Sequence, residues 1–241
     1  MKKAFLFISG LFALLIFSCG ETIENNSDSL LNERIDDYIN AHVANGKFNG
    51  NILITKNDSI VFSNSYGMAN KELSAKNTDS TKFLIGSITK PFTALAILLL
   101  QQHDKLKVTD KLSTYFPNFE SANNITIHQL LNHTSGISDY KALSDWKIDS
   151  KSDNINPHLT VGKMSDLPLL FEPGSSFRYS NVGYILLGLI IEKVSNQSFA
   201  SFIDYKIIQP LSLTNTGIID NRSVIANLAN GYSSSPIETI K

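Results

Sequence analysis

The chain has 241 residues, and its 21 Lys and Arg residues nearly balance its 22 Asp and Glu residues. Because the net charge is close to zero and no stretch concentrates basic residues, the sequence offers no patch for nucleic acid. A hydrophobic content of 42% and a charged content of 18% are typical of a globular protein, and the length predicts one domain of two lobes.

The first twenty residues have the pattern of a secretion signal. Two lysines precede an apolar stretch over 4–17, which is shorter than the roughly 20 residues that a membrane-spanning helix needs. The stretch ends in Ile-Phe-Ser-Cys at Cys19, the only cysteine, and this ending resembles a bacterial lipobox. We predict a signal peptide over 1–19, lipidation of Cys19 and a polar tether over 20–29. Secretion with an incidental cysteine stays open.

The next segment predicts a helix and a hairpin. Apolar residues spaced three and four apart predict an amphipathic helix over 29–44, with Tyr38 on its apolar face. Two β-rich runs, 50–55 and 60–66, flank a Lys-Asn-Asp-Ser sequence that is typical of a turn. We therefore predict a β-hairpin at this place.

Two strongly apolar helices are predicted further along. The run "KPFTALAILLL" is apolar nearly all round, which predicts a helix over 88–102 that is buried on every side. Short helical and loop pieces are expected over 108–137, whereas residues 145–163 are polar and typical of a surface loop or lid. The second apolar helix is predicted over 182–194. Because strands precede helices without βαβα alternation, the pattern argues against a doubly wound sheet.

A serine lies at the start of the first apolar helix, three residues before a lysine. Residues three apart on a helix lie on one face about 5–6 Å apart, so Ser87 and Lys90 should point the same way. Free backbone N–H groups of a first turn can stabilise an oxyanion, and Pro91, which lacks an N–H, should loosen the turn. The same spacing begins at Ser138 and Ser144 in polar sequence. The motif alone therefore leaves open an ordinary helix start with a solvated lysine.

The tripeptide Tyr-x-Asn occurs twice. In the first copy, Tyr38 lies in the middle of a predicted helix, and we predict that it packs in the core. The second copy, Tyr179–Ser180–Asn181, lies between a Pro-Gly turn and the second apolar helix. A polar tripeptide between two rigid elements is typical of a functional site.

Together these motifs resemble the serine β-lactamase and penicillin-binding-protein superfamily. Ser87–Lys90, His133–Gly136, the "EPGSSFRYSN" run and its Tyr179–Asn181 end occur in the family's order. The likeness extends from about Leu30 to Tyr232. It is closest to the class C-like branch, which also contains esterases and D-aminopeptidases.

The resemblance implies an α+β fold, with a helical lobe, an antiparallel sheet flanked by helices, and a cleft between the lobes. It makes residues 30–241 one hydrolase domain. The family's third motif, Lys or His followed by x-Gly on a late strand, is absent after Asn181, since Asn215–Thr216–Gly217 lacks the cation. We therefore expect a fold that is incomplete at its C-terminus, and the activity of the 241-residue chain stays open.

The resemblance also implies roles for individual residues. Ser87 is expected to be the acylated nucleophile, Lys90 its activating partner and Tyr179 the general base. Asn181 is expected to hydrogen-bond Lys90 and the substrate's amide, whereas His133 belongs to a structural turn. Because the ordinary pKa of tyrosine is near 10, nearby positive charge must lower it for this chemistry. No metal or cofactor is implied.

The implied function is a serine hydrolase of the bacterial envelope, lipid-anchored to a membrane, that acts through an acyl-enzyme. Its expected partner is a small-molecule or peptidoglycan-type substrate: a β-lactam, a D-alanyl peptide or an ester. The alternatives are a non-catalytic envelope-binding protein or an inactive truncated fragment of such an enzyme. No Gly-x-Ser-x-Gly elbow, paired-histidine zinc motif or Walker loop supports another chemistry.

Overall fold

The computed structural model describes residues 24–140, 156–219 and 223–232. The chain divides into two compact units, and the boundary lies between Thr81 and Lys82. The predicted signal peptide and its Cys19 lie outside the described residues. Within the described ranges, no helix has both the length and the apolar content needed to cross a bilayer.

The first unit consists of a long helix and two small antiparallel sheets. In chain order its elements are α1 (Glu24–Ala44), β1 (Gly50–Lys56), β2 (Ser59–Tyr66), β3 (Met68–Asn70) and β4 (Ala75–Lys76). Strand β1 pairs with β2, and β3 pairs with β4. Asn57 and Asp58 have φ angles of 50° and 61°, as a two-residue hairpin turn requires. The predicted hairpin is therefore confirmed.

Helix α1 is longer than predicted, and its tyrosine is not buried. The helix begins at Glu24, within the segment predicted as a polar tether. The prediction that Tyr38 packs in a core is wrong, because this residue is 65% exposed. Asp36 docks the helix instead, since it accepts hydrogen bonds from Tyr66 (2.5 Å) and Asn64 (3.0 Å) of β2. Burial and the hydrogen bond to Asp36 raise the pKa of Tyr66 to about 12, so its hydroxyl stays protonated and donates.

The second unit is a helical core around one central helix. Its described α-helices are α2 (Thr89–Gln102), α3 (Ile127–Leu131), α4 (Pro157–Met164), α5 (Asn181–Ser195) and α6 (Phe199–Ile203). Helix α5 packs against the other four, and its Leu186, Leu187 and Ile190 have no exposed surface. Short 3-10 turns cover Gly86–Ile88 and Leu112–Thr114, and a π-helical turn covers Asp204–Ile208. The apolar helix predicted over 182–194 and the short helical and loop segments predicted over 108–137 are therefore confirmed.

Helix α2 is buried on one side only, so the prediction that it is buried on every side is wrong. Ala96 and Ile97 have no exposed surface, whereas Leu95 is 40% and Leu98 48% exposed. Positions 91, 95, 98 and 102 are all exposed and are spaced three and four apart, so they form one stripe along the helix. The core helices cover the opposite face.

Helix α4 occupies the end of the segment predicted as an irregular loop or lid. Asn156 caps this helix, because its side-chain oxygen accepts hydrogen bonds from the backbone N–H groups of His158 (3.0 Å) and Leu159 (3.2 Å). Pro157 occupies the first helical position, which suits a residue without an N–H. The loop prediction is therefore wrong for 157–163. Residues 145–155 lie outside the described ranges.

Candidate active site

Ser87 lies in the 3-10 turn that leads directly into α2. Gly86 begins this turn with a φ of 51°, a left-handed conformation that glycine adopts without strain. Pro91 has no N–H to donate to the carbonyl of Ser87 four residues earlier, so the chain forms the tighter turn at this place. The side chain of Ser87 is exposed, and Lys90 is half-buried on the first turn of α2.

The four residues predicted for catalysis and substrate binding form one hydrogen-bonded cluster. Ser87 Oγ lies 2.7 Å from the hydroxyl oxygen of Tyr179. Lys90 Nζ donates to Ser87 Oγ at 3.2 Å and to Asn181 Oδ1 at 2.9 Å. Residues separated by 92 positions in the sequence therefore meet within hydrogen-bonding distance.

The backbone of Ser180 explains why its two polar neighbours reach the same cluster. Ser180 is extended, with φ −136° and ψ 121°, so the side chains of Tyr179 and Asn181 lie on the same side of the chain. Ser180 itself is 1% exposed, and its Oγ accepts a hydrogen bond from the backbone N–H of Gly183 (3.2 Å). This cap starts α5 and fixes both neighbours at the helix N-terminus.

The surroundings of Tyr179 favour its ionised form. Burial raises the pKa of Tyr179, but its hydrogen bonds with Lys90 and Ser87 and the charge of Lys90 outweigh burial. The net pKa therefore lies below the ordinary value. A tyrosine with a lowered pKa, 2.7 Å from a serine hydroxyl, has the geometry of a general base beside its nucleophile.

A second tyrosine near Lys90, Tyr184, has a raised pKa, whereas the pKa of Tyr179 is lowered. Lys90 Nζ lies 4.8 Å from the ring centre of Tyr179 and 5.5 Å from that of Tyr184. The hydroxyl of Tyr184 donates to the carbonyl of Leu131 at 2.9 Å. Burial and the neighbouring Tyr179 raise the pKa of Tyr184. Tyr184 therefore stays protonated and holds helix α5 against α3.

His133 holds the segment that carries Tyr179. Its backbone carbonyl accepts a hydrogen bond from the N–H of Arg178 (2.9 Å), and its Nδ1 accepts one from the N–H of Ser180 (3.3 Å). The ring centre lies 4.6 Å from that of Tyr179. Burial and the charge of Lys90 lower the pKa of His133, which keeps the ring neutral and Nδ1 an acceptor. These are the contacts of a structural turn.

Asp139 is a residue of the cluster that sequence reasoning missed. Its Oδ2 accepts hydrogen bonds from the backbone N–H of Asn181 at 2.7 Å and from Asn181 Nδ2 at 3.0 Å. The chain reaches Asp139 through Gly136, whose φ is 75° and whose Cβ, if present, would lie 2.3 Å from the carbonyl oxygen of Phe171. Only glycine fits there without strain. In the sequence, only its position three residues after the Thr-Ser-Gly turn could have indicated that Asp139 lies near the site.

The other candidate groups do not join this cluster. Ser138, from the second Ser-x-x-Lys match, is 9% exposed, and Lys141, Ser144 and Lys147 lie outside the described residues. In the part of the chain that the structure describes, no three His, Cys, Asp or Glu side chains are arranged to hold a metal ion.

The fold belongs to the α+β class, and the cluster brings an exposed serine into hydrogen-bonding contact with a tyrosine and a lysine. The family model described as Beta-lactamase matches residues 35–239, and the chain therefore belongs to the β-lactamase family of serine hydrolases. The predicted superfamily and the predicted α+β fold, with helices and small antiparallel sheets, are thereby confirmed.

Known proteins resemble most of this chain but extend well beyond it. Protein flp of Staphylococcus aureus (strain MRSA252) is 36% identical over 206 residues, which are 83% of this chain and 41% of that protein. A penicillin-binding protein from Bacillus halodurans is 33% identical with a TM-score of 0.70, over 80% of this chain and 59% of its own. A class C β-lactamase solved with cefoxitin shares the fold at 24% identity, with a TM-score of 0.72 over 86% of this chain and 57% of its own. The chain spans about two fifths of the length of the curated relatives it matches.

Proposed function

We propose that the chain carries the acylation centre of a serine hydrolase that acts on amide or ester bonds in the bacterial envelope. The observation that carries this proposal is the hydrogen bond between Ser87 and Tyr179, with Lys90 donating to the same serine oxygen. Membership of the β-lactamase family supports the same class of reaction.

The proposed reaction begins at the Ser87 hydroxyl. Tyr179, ionised beside Lys90, takes the serine proton while Ser87 Oγ bonds to the substrate's carbonyl carbon. The carbonyl electrons move to oxygen, and the backbone N–H of Ser87 stabilises the resulting oxyanion. When the intermediate collapses, the amide or ester bond breaks, and the proton on Tyr179 passes to the leaving group. Water then hydrolyses the ester on Ser87.

Asn181 has two parts in this scheme. Its Oδ1 accepts the hydrogen bond from Lys90, and we assign its Nδ2 to the carbonyl of the substrate's amide. A β-lactam, a D-alanyl peptide and an ester all fit one acyl-enzyme chemistry. The name of the similar penicillin-binding protein favours the β-lactam among these three.

Covalent labelling of the purified chain tests this function. No Lys/His-x-Gly motif follows Asn181 in the 241 residues, so we expect slow turnover and use a single-turnover readout. We expect a fluorescent penicillin or a fluorophosphonate to label the chain, and the label to survive a denaturing gel. Label that binds but is lost on denaturation would favour the alternative, a non-catalytic binding protein. Absence of any label from both probes would contradict the proposal.

We also propose that a lipid on Cys19 anchors the protein in the cell envelope, at the periplasmic face or the outer membrane. The supporting observation is the lone cysteine at the end of the apolar signal. In cells that express the full chain, radiolabelled palmitate should mark the wild type, and Cys19→Ala should remove the label. Equal labelling of the two proteins would rule out this anchor.

A further inference from the structure

The geometry points to Asp139 as a positioning residue that holds the Asn181 amide in the single orientation from which Oδ1 can accept the hydrogen bond of Lys90. Asn181 Oδ1 lies 2.9 Å from Lys90 Nζ, and Asn181 Nδ2 lies 3.0 Å from Asp139 Oδ2. Through this chain of contacts Asp139 acts on Lys90, and Lys90 acts on Ser87. The inference rests on the proposed function, because it assigns Asp139 a part in the same acylation.

The orientation follows from what each group can donate or accept. The oxygen and nitrogen ends of an asparagine amide have nearly the same shape, so packing alone does not choose between them. A carboxylate only accepts and a lysine ammonium only donates. A flipped Asn181 would turn its N–H groups towards Lys90 and its oxygen towards Asp139, and both hydrogen bonds would be lost. Asp139 and Lys90 therefore select the same orientation.

Asp139 itself is held firmly enough to set this orientation. The oxygen that accepts from the amide of Asn181 also accepts from the backbone N–H of that residue at 2.7 Å, which ties it to the start of α5. The preceding residues Ile137 and Ser138 are buried, and the carbonyl of Gly136 accepts a hydrogen bond from the N–H of Leu170 at 2.8 Å. The carboxylate thus sits at a helix N-terminus, where a negative charge is favoured.

An exchange of the two side chains tests the inference through catalysis. Asp139→Ala and Asn181→Asp should each slow acylation of Ser87 by about 10- to 100-fold, the worth of a hydrogen bond to a charged group. In the double variant Asp139→Asn with Asn181→Asp, the new amide donates to the new carboxylate, whose other oxygen accepts from Lys90. We expect this double variant to acylate faster than Asn181→Asp alone. A double variant that acylates no faster than Asn181→Asp alone would overturn the proposal.

A measurement that does not depend on catalysis separates this inference from the proposed function. The side-chain amide signal of Asn181 in a nitrogen-15 spectrum can be assigned by its loss in Asn181→Asp. Its hydrogens should exchange slowly with water in the wild type and at least about tenfold faster in Asp139→Ala. The exposed Asp166, changed to Ala, should leave that rate unchanged.

The two proposals then fail in different ways. Asp139-dependent protection of the amide in a chain that never acylates Ser87 would remove the proposed function and keep the positioning role. Acylation of Ser87 at the wild-type rate in Asp139→Ala, with unchanged amide exchange, would keep the function and remove the positioning role.

Discussion

A Ser87→Ala variant is expected to lose covalent labelling by a fluorescent penicillin or a fluorophosphonate completely. Without Oγ the chain cannot form the acyl bond, whatever the remaining groups do. Because Ser87 is exposed, the change should alter the free energy of unfolding by no more than about 0.5 kcal/mol, which a urea melt checks. The label is measured as fluorescence in a denaturing gel, and equal amounts of folded wild type and variant are compared.

The matched control for this variant is Ser138→Ala. Ser138 also begins a Ser-x-x-Lys sequence, but it is buried. The sequence match at Ser144, which lies outside the described residues, provides a second control. Both variants should keep their label, and label that persists in Ser87→Ala would show that another residue is the nucleophile.

Changing Tyr179 to phenylalanine is expected to slow acylation by about 10²–10⁴-fold, the usual contribution of a general base. The phenylalanine keeps the ring that lies 4.6 Å from His133 and removes only the hydroxyl that faces Ser87. The rate of label incorporation under single-turnover conditions measures the effect. Tyr184→Phe is the control, because its hydroxyl faces Leu131 rather than the serine, and it should slow acylation far less. Equal rates in the two variants would contradict the assignment of the base.

The pH dependence of acylation tests the source of the lowered pKa. The rate should rise with pH as Tyr179 loses its proton, with a midpoint below the ordinary value near 10. In Lys90→Met the hydrogen bond and the charge that lower this pKa are lost, whereas burial, which raises it, remains. The midpoint should therefore move to higher pH, and less so in Lys90→Arg, which keeps the charge. A midpoint that stays in place or moves to lower pH would contradict the role of Lys90.

Local sequence patterns were sufficient to predict the hairpin and helix α5, because residues close together in the chain determine these elements. The hairpin follows from two β-rich runs around Asn57 and Asp58, which tolerate positive φ, and α5 follows from a long apolar run. Helix α4 was missed although Asn156 and Pro157 are a cap and a first-turn residue, because the surrounding polar composition favoured a loop. The side of α2 that is buried depends on its packing partners, which its own apolar residues do not specify.

Some residues of the candidate site could be predicted from short motifs, whereas Asp139 could not. Ser87 with Lys90, and Tyr179 with Asn181, are short motifs, and the family resemblance joined them across the chain. Asp139 has no such motif, since its contact with Asn181 spans 42 positions and exists only in the fold. A single aspartate carries no spacing signal that a sequence pattern can detect.

Peptide mapping of the acylated wild-type chain tests the role of Ser87 most directly. Trypsin cleaves after Lys82 but not between Lys90 and Pro91, so the next cut follows Lys105 and residues 83–105 form one peptide whose only serine is Ser87. After incubation with benzylpenicillin, we predict that the added mass lies on this peptide and that fragmentation places it at Ser87. An acyl group on any other residue, whether in this peptide or elsewhere in the chain, would contradict the proposed nucleophile.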